Sequence, residues 1–172
     1  IQADNQIQSV IDNWSKYFIH DQEPIFKNDK YALYPAGDHL CIYKKGVLIH
    51  EDTSKKSVFG YDLANADINE LREYRGSKSM VITYCLSEAN EKAVSYFLEN
   101  ITEDHFEGNS TGMDYNWYKS FNENWKKVLG SGKLIYRKIL DEIRARGSNP
   151  DMATLIIVPE VLYRFLTRQF EG

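Results

Sequence analysis

His39-Leu-Cys-Ile-Tyr-Lys-Lys-Gly-Val-Leu-Ile-His50 is two strand-length apolar runs on either side of Lys44-Lys45-Gly46. A glycine between two such runs signals an antiparallel hairpin, because the tight turn that follows the strand twist needs positive φ. The hairpin, spanning about residues 39–50, puts an antiparallel component into whatever sheet the chain builds. The rest of the sequence decides what surrounds it.

Upstream, residues 26–38 carry Asn28-Asp29 and Pro35-Ala36-Gly37 and read as turn-rich. Before them, Tyr17-Phe-Ile-His-Asp-Gln-Glu-Pro24 runs from apolar to polar. We expect a short buried strand over Tyr17–His20, closed by Pro24, which can donate no ladder hydrogen bond. Ile7, Val10, Ile11 and Trp14 recur at helical spacing after Asp4, a good cap, so a short helix feeds that strand.

Downstream, polar residues from Glu51 to Gly60 predict a loop, and Asp67 caps a helix that ends before Gly76 and turns Ile68 and Leu71 inward. Met80-Val-Ile-Thr-Tyr-Cys-Leu86 has the length and apolarity of a strand covered on both faces. Ser87 then caps a helix over Glu88–Asn100 that buries Val94, Phe97 and Leu98. A strand followed at once by a capped helix is an α/β signature. Residues 102–112 read as a surface loop, and Asp114 to Leu129 as an aromatic-rich helix broken by Gly130-Ser-Gly132. Lys133 to Arg146 places Leu134, Ile135, Ile139, Leu140 and Ile143 on one helical side. Leu155-Ile-Ile-Val158 is a second covered strand, after which Pro159 opens a last helix over Glu160–Gln169. The pattern predicts one α/β domain over residues 1–172, with a mixed sheet and flanking helices. α+β is the neighbouring class.

With 42% hydrophobic and 27% charged residues among 172, the composition is that of a globular chain. Twenty-one basic against 25 acidic residues give −4, so no overall field draws the protein to nucleic acid. No apolar run approaches the roughly 18 residues needed to cross a bilayer, so we expect a soluble protein with no membrane partner. Cys41 and Cys85, each among strand-like neighbours, read as buried free thiols, which points to a reducing, cytoplasmic setting. An initial Ile in place of Met fits a processed product or a piece of a longer protein.

Several residues could carry chemistry. His20, Asp21 and Glu23 stand at a strand end, where open α/β sheets bind ligands; carboxylates there could accept from sugar hydroxyls or act as bases, or simply cap a turn. His39 and Cys41 share a strand face, but no local signature of a cysteine hydrolase accompanies them. His50, Glu51 and Asp52 invite a metal, yet neighbours in a strand point apart and no ligand set at fixed spacing follows. Lys133, Arg137 and Arg144 share roughly one face of the helix expected there, suited to phosphate or to solvent. No Walker pattern is present.

His20-Asp-Gln-Glu-Pro24 after an apolar strand, Leu86-Ser-Glu88, Asp114-Tyr-Asn-Trp-Tyr-Lys-Ser-Phe121 and Tyr136-Arg137 resemble, in that order, glycosyltransferase-like proteins carried by tailed phages. The resemblance covers about residues 10–147 through short motifs. It implies a nucleotide-sugar site, with Asp21 and Glu23 in the catalytic role and His20, Glu88, Tyr118 and Arg137 binding substrate, Arg137 against the diphosphate. The hairpin departs from that family's simple parallel sheet. A second resemblance, over residues 31–172, is to the opening portion of caspase-like CHAT domains, whose catalytic pair lies beyond such a segment. The stretch of helix, Asn-Pro-Asp, strand, proline and helix near the end is also similar to phage capsid proteins. Tyr74-Arg-Gly-Ser77, Ser110-Thr111 and Glu160 follow the arginine, serine, glutamate order of ADP-ribosyltransferases, with the arginine at a helix end in place of a first strand. The alternative to an enzyme is an interaction or assembly domain that docks a protein partner through Tyr115, Trp117 and Trp125.

Overall fold

The computed structural model describes residues 7–9, 11–108, 122–130, 132–151 and 155–170, the side chains of 165 and 168–170 excepted. The hairpin forms as expected: β3 (Leu40–Lys44) and β4 (Val47–Asp52) pair antiparallel, Ile42 opposite His50. Lys45 (φ 51°) and Gly46 (φ 80°) both take positive φ, the two-residue turn that matches the strand twist.

Three further strands complete the sheet: two fall in the stretch expected to be turn-rich, and the third begins inside the loop expected over Glu51–Gly60. β1 (Phe26–Lys27) and β2 (Tyr31–Pro35) pair antiparallel, and β5 (Phe59–Leu63) inserts between β2 and β3. The order is β1-β2-β5-β3-β4, with β5 antiparallel to β2 and parallel to β3, so the sheet is mixed. Strand alternation gives it two covered faces. Tyr31, Leu33, Leu40, Ile42, Phe59, Tyr61 and Leu63 enter the main core, while Ala32, Tyr34 and Tyr43 turn to the other side and pack with Ile19.

The helices on the main face depart from the expected pattern in instructive ways. Met80–Leu86 is not a strand: it lies inside helix α2 (Lys78–Ser87), which follows the short α1 (Trp14–Tyr17). Ser77 starts α2 by accepting from the Met80 amide, and Val81, Ile82, Cys85 and Leu86 are the buried residues of a 3.6-residue period. An apolar run of this length fits either element, and the cap just before it decides for helix. Ser87 therefore ends one helix; the next, α3 (Glu91–Asn100), is capped by Asn90, which accepts from the Ala93 amide. The helix expected between Asp67 and Gly76 is absent. Residues 64–76 form an irregular strap that holds Leu71 78% exposed and closes on itself through an Ile68–Tyr74 bridge. The Tyr17–His20 strand reduces to a single Phe18–Val47 bridge after α1.

A short 3-10 turn (Phe106–Gly108) leads toward α4 (Glu123–Leu129). Then β6 (Lys133–Tyr136), α5 (Arg137–Ala145) and β7 (Leu155–Val158) make a parallel two-stranded unit, and α6 (Glu160–Phe170) returns over it. The expected helix from Lys133 thus begins as a strand, which separates Lys133 from the helical face of Arg137 and Arg144. Val158, Leu162 and Leu166 join this unit to the main core. Among the described residues no helix is long and apolar enough to cross a membrane.

Candidate functional site

The site grows from the open edge of β4. His50 and Asp52 are two apart on that strand and so share a face. The strap 64–76 returns along the edge, where the Tyr74 amide donates to the Ile49 carbonyl at 3.3 Å, and delivers the start of α2 beside both residues. The Lys78 ammonium then donates to the Asp52 carboxylate. The Ser54 amide donates to the same carboxylate at 3.0 Å. These bonds, Lys78 first and Ser54 next, hold Asp52 well below the usual carboxylate range.

His50 is pushed below its ordinary pKa by burial first and by the Lys78 charge second, with Asp52 opposing, so its imidazole is neutral at pH 7. Its Nε2 is buried without a hydrogen-bond partner. Buried polar atoms are normally paired, so this orphan ring nitrogen stands out. Ser77 Oγ and Ser79 Oγ lie 2.9 Å apart in the first turn of α2, whose opening N–H groups have no intrahelical partner. A hollow of about 330 Å³ collects these groups, lined by His50, Tyr74, Gly76, Ser77, Lys78, Ser79 and Phe106.

Phe106 forms the floor, its ring centroid 5.5 Å from the Lys78 ammonium. It is held by its neighbour Glu107, which is fully buried. The Glu107 carboxyl accepts from Ser57 Oγ (2.7 Å), the Val58 amide (3.0 Å) and Tyr61 Oη (2.7 Å). A second hollow of about 500 Å³ lies on the other side of Tyr74 and Gly76, which line both. A Cβ on Gly76 would fall 2.0 Å from Tyr74 Oη, so glycine lets the strap press against the tyrosine that divides the hollows.

The residues expected from sequence occupy other places. His20, Asp21 and Glu23 are exposed together beside the hairpin turn, where the His20 ring lies over Gly46. Glu88 follows α2, exposed, 4.0 Å from Lys30. Arg137 opens α5, its Nη2 donating to the Ile101 carbonyl at 3.4 Å and its Nε 3.8 Å from the Glu103 carboxylate. None of these five lines either hollow. Tyr118, with Tyr115 and Trp117, lies outside the described residues. Trp125 is fully buried and donates Nε1–H to the Leu86 carbonyl at 2.7 Å, so it is a core residue with no surface to offer a partner. Both cysteines are free thiols, Cys85 buried and Cys41 half-buried, and burial pushes both above the ordinary thiol pKa.

No family model, curated protein or solved structure matches this chain. The chemistry of the site is accordingly argued from its geometry. Among the described residues no three His, Cys, Asp or Glu side chains cluster to hold a metal. The hollow is lined by the Lys78 ammonium, paired with Asp52, by the Ser77 and Ser79 hydroxyls, which bond each other, and by the start of α2; His50 lines it too, its Nε2 buried. Such donors at a helix start suit an anion with several acceptor oxygens. The signal in the sequence was Gly76-Ser-Lys-Ser79 together with His50 and Asp52, but only the return of the strap along β4 brings them together.

Proposed function

We propose that this domain binds a phosphate-bearing small molecule, with the phosphate in the hollow between β4 and the start of α2. The observation that carries the reading is His50 Nε2, buried and unpartnered beside Lys78. Lys78 keeps one contact with Asp52 and has further N–H donors for the ligand; Ser77, Ser79 and the helix start supply the rest. Sugar transfer from a nucleotide donor, which the phage-protein resemblance implies, belongs to this ligand class. The present reading moves the phosphate contact from Arg137 to Lys78 and His50.

The test is titration of the full chain with inorganic phosphate and sugar phosphates, followed by NMR at His50. Saturable binding should raise the His50 pKa, because a bound dianion favours imidazolium, and Lys78→Gln or His50→Gln should weaken binding about tenfold or more, the worth of one charge-assisted hydrogen bond. A His50 resonance indifferent to phosphate at saturating concentration would overturn the assignment.

A second reading, a protein-interaction domain, is favoured by a different feature. Ile7, Ile11 and Trp14, spaced four and three apart, are each half or more exposed. Changing Ile11 and Trp14 to Ser should then abolish a complex and leave phosphate affinity unaltered; loss of phosphate binding in that variant would count against two separate surfaces.

A further inference from the structure

Lys78 is not free to give its whole charge to a ligand. Its ammonium bonds Oδ2 of Asp52, while Oδ1 of the same carboxylate accepts from the Ser54 amide at 3.0 Å and from the Ser54 hydroxyl at 2.5 Å. The Asp52 side chain is 15% exposed and stays ionised throughout the neutral range. The two charges therefore match, and the hollow holds no net positive side-chain charge while His50 is neutral. A carboxylate oxygen has two acceptor positions. On Oδ1 both are taken; on Oδ2 one is left beside Lys78.

Two acceptors that share one ammonium nitrogen at hydrogen-bond distance stand about 5 Å apart. Any ligand oxygen that Lys78 also holds therefore lies that close to Oδ2, or closer if it bonds both. The Ser77 and Ser79 hydroxyls and the opening amides of α2 can all donate to an oxyanion, and donors do not tell one tetrahedral oxyanion from another of the same size. An acceptor does. Phosphate near neutral pH keeps a proton on at least one oxygen, and a phosphomonoester keeps one in its monoanion; sulfate keeps none. A P–O–H turned to Oδ2 makes a charge-assisted bond, whereas a sulfate oxygen in the same place meets a like charge with no proton between. We infer that Asp52 is the specificity-determining residue of the phosphate site, admitting oxyanions that bring a proton and rejecting sulfate. This rests on the phosphate reading above and adds the basis on which the site chooses.

The experiment is calorimetric titration of the full chain with inorganic phosphate and with sulfate near neutral pH, repeated with Asp52→Asn. Phosphate should bind the wild type about tenfold or more tightly than sulfate, the scale of one charge-assisted hydrogen bond set against one like-charge contact. Asp52→Asn should close that gap by tightening sulfate about tenfold or more, because the repelling charge is gone and Lys78 is released. Should Asp52→Asn fail to fold, Asp52→Ser removes the same charge with a smaller side chain. Equal affinity of the wild type for the two ions, or a preference for phosphate that survives removal of the Asp52 charge, overturns the inference and leaves the phosphate site standing. Absence of saturable phosphate binding by the wild type overturns both.

Discussion

Replacing Glu107 by Ala tests how the floor of the candidate site is held. Three donors converge on its carboxyl, but they are not equivalent. Ser57 has one hydroxyl proton and a second acceptor at hand, the Phe59 carbonyl at 2.8 Å, so it can turn away. The Val58 amide and the Tyr61 hydroxyl would be left buried and unpaired. Each such orphan costs about 1–3 kcal/mol, and the vacated space adds to it, so Glu107→Ala should lose about 3–6 kcal/mol. Glu107→Gln keeps one oxygen for Tyr61 and Val58, and its new amide meets the Val58 N–H only where Oε2 accepted weakly at 3.2 Å; it should lose about 1–2 kcal/mol. Urea unfolding reads this as a shift in midpoint at constant slope. Since domains of this kind hold only about 5–15 kcal/mol in total, the Ala variant should unfold at markedly lower urea. Equal midpoints for Gln and Ala, or a loss below about 1 kcal/mol for Ala, would refute the idea that acceptor geometry holds this segment.

Gly46→Ala should destabilise by about 1–2 kcal/mol from positive φ alone, since the exposed His20 ring can swing off the new Cβ; thermal unfolding measures it, and an unchanged midpoint would contradict the turn geometry. Trp125→Ala should cost about 3–5 kcal/mol, and a folded variant of undiminished stability would remove Trp125 from the core. For Asp52 the folded pKa lies below the unfolded one, so its contribution is present above the unfolded pKa and disappears as pH falls through the folded value. Asp52→Asn should flatten the acid limb of the stability curve, and an unaltered limb would show that the Lys78 contact is not formed. His50 also titrates lower folded than unfolded, so without ligand stability should fall as pH drops from about 6.5 toward the folded pKa. His50→Gln should remove that slope, and a slope that persists must come from another group.

The hairpin was legible because its turn chemistry is local: Lys45 and Gly46 announce the positive φ that the structure uses. The same holds for β7 and α6, where Pro159 marks the junction. β5 was hidden for a tertiary reason. Gly60 breaks its apolar run, and Asp62 looks like a loop residue but accepts from the Gly46 amide at 2.9 Å. Met80–Leu86 was misassigned because an apolar run of that length carries no period of its own, and the deciding signal, Ser77, lies outside it. The candidate site was half legible. His50 and Asp52 were noticed as ligands for a metal and Gly76-Ser77 as part of a transferase-like order, but their meeting depends on a strap whose course no local pattern encodes.

The place of β5 sets an order of events during synthesis. Residues 26–35 and 40–52 form two antiparallel pieces with no ladder between them, and the strand that joins both arrives last. Until residue 63 is available neither pair can make its ladder to β5, and whatever pairing each segment makes leaves that edge open. Stops or pauses before that point would expose two sticky flanks at once, whereas a few residues later both are sealed by a single insertion. The middle of this sheet is its last piece, and the chain becomes safe to handle only when its keystone drops in.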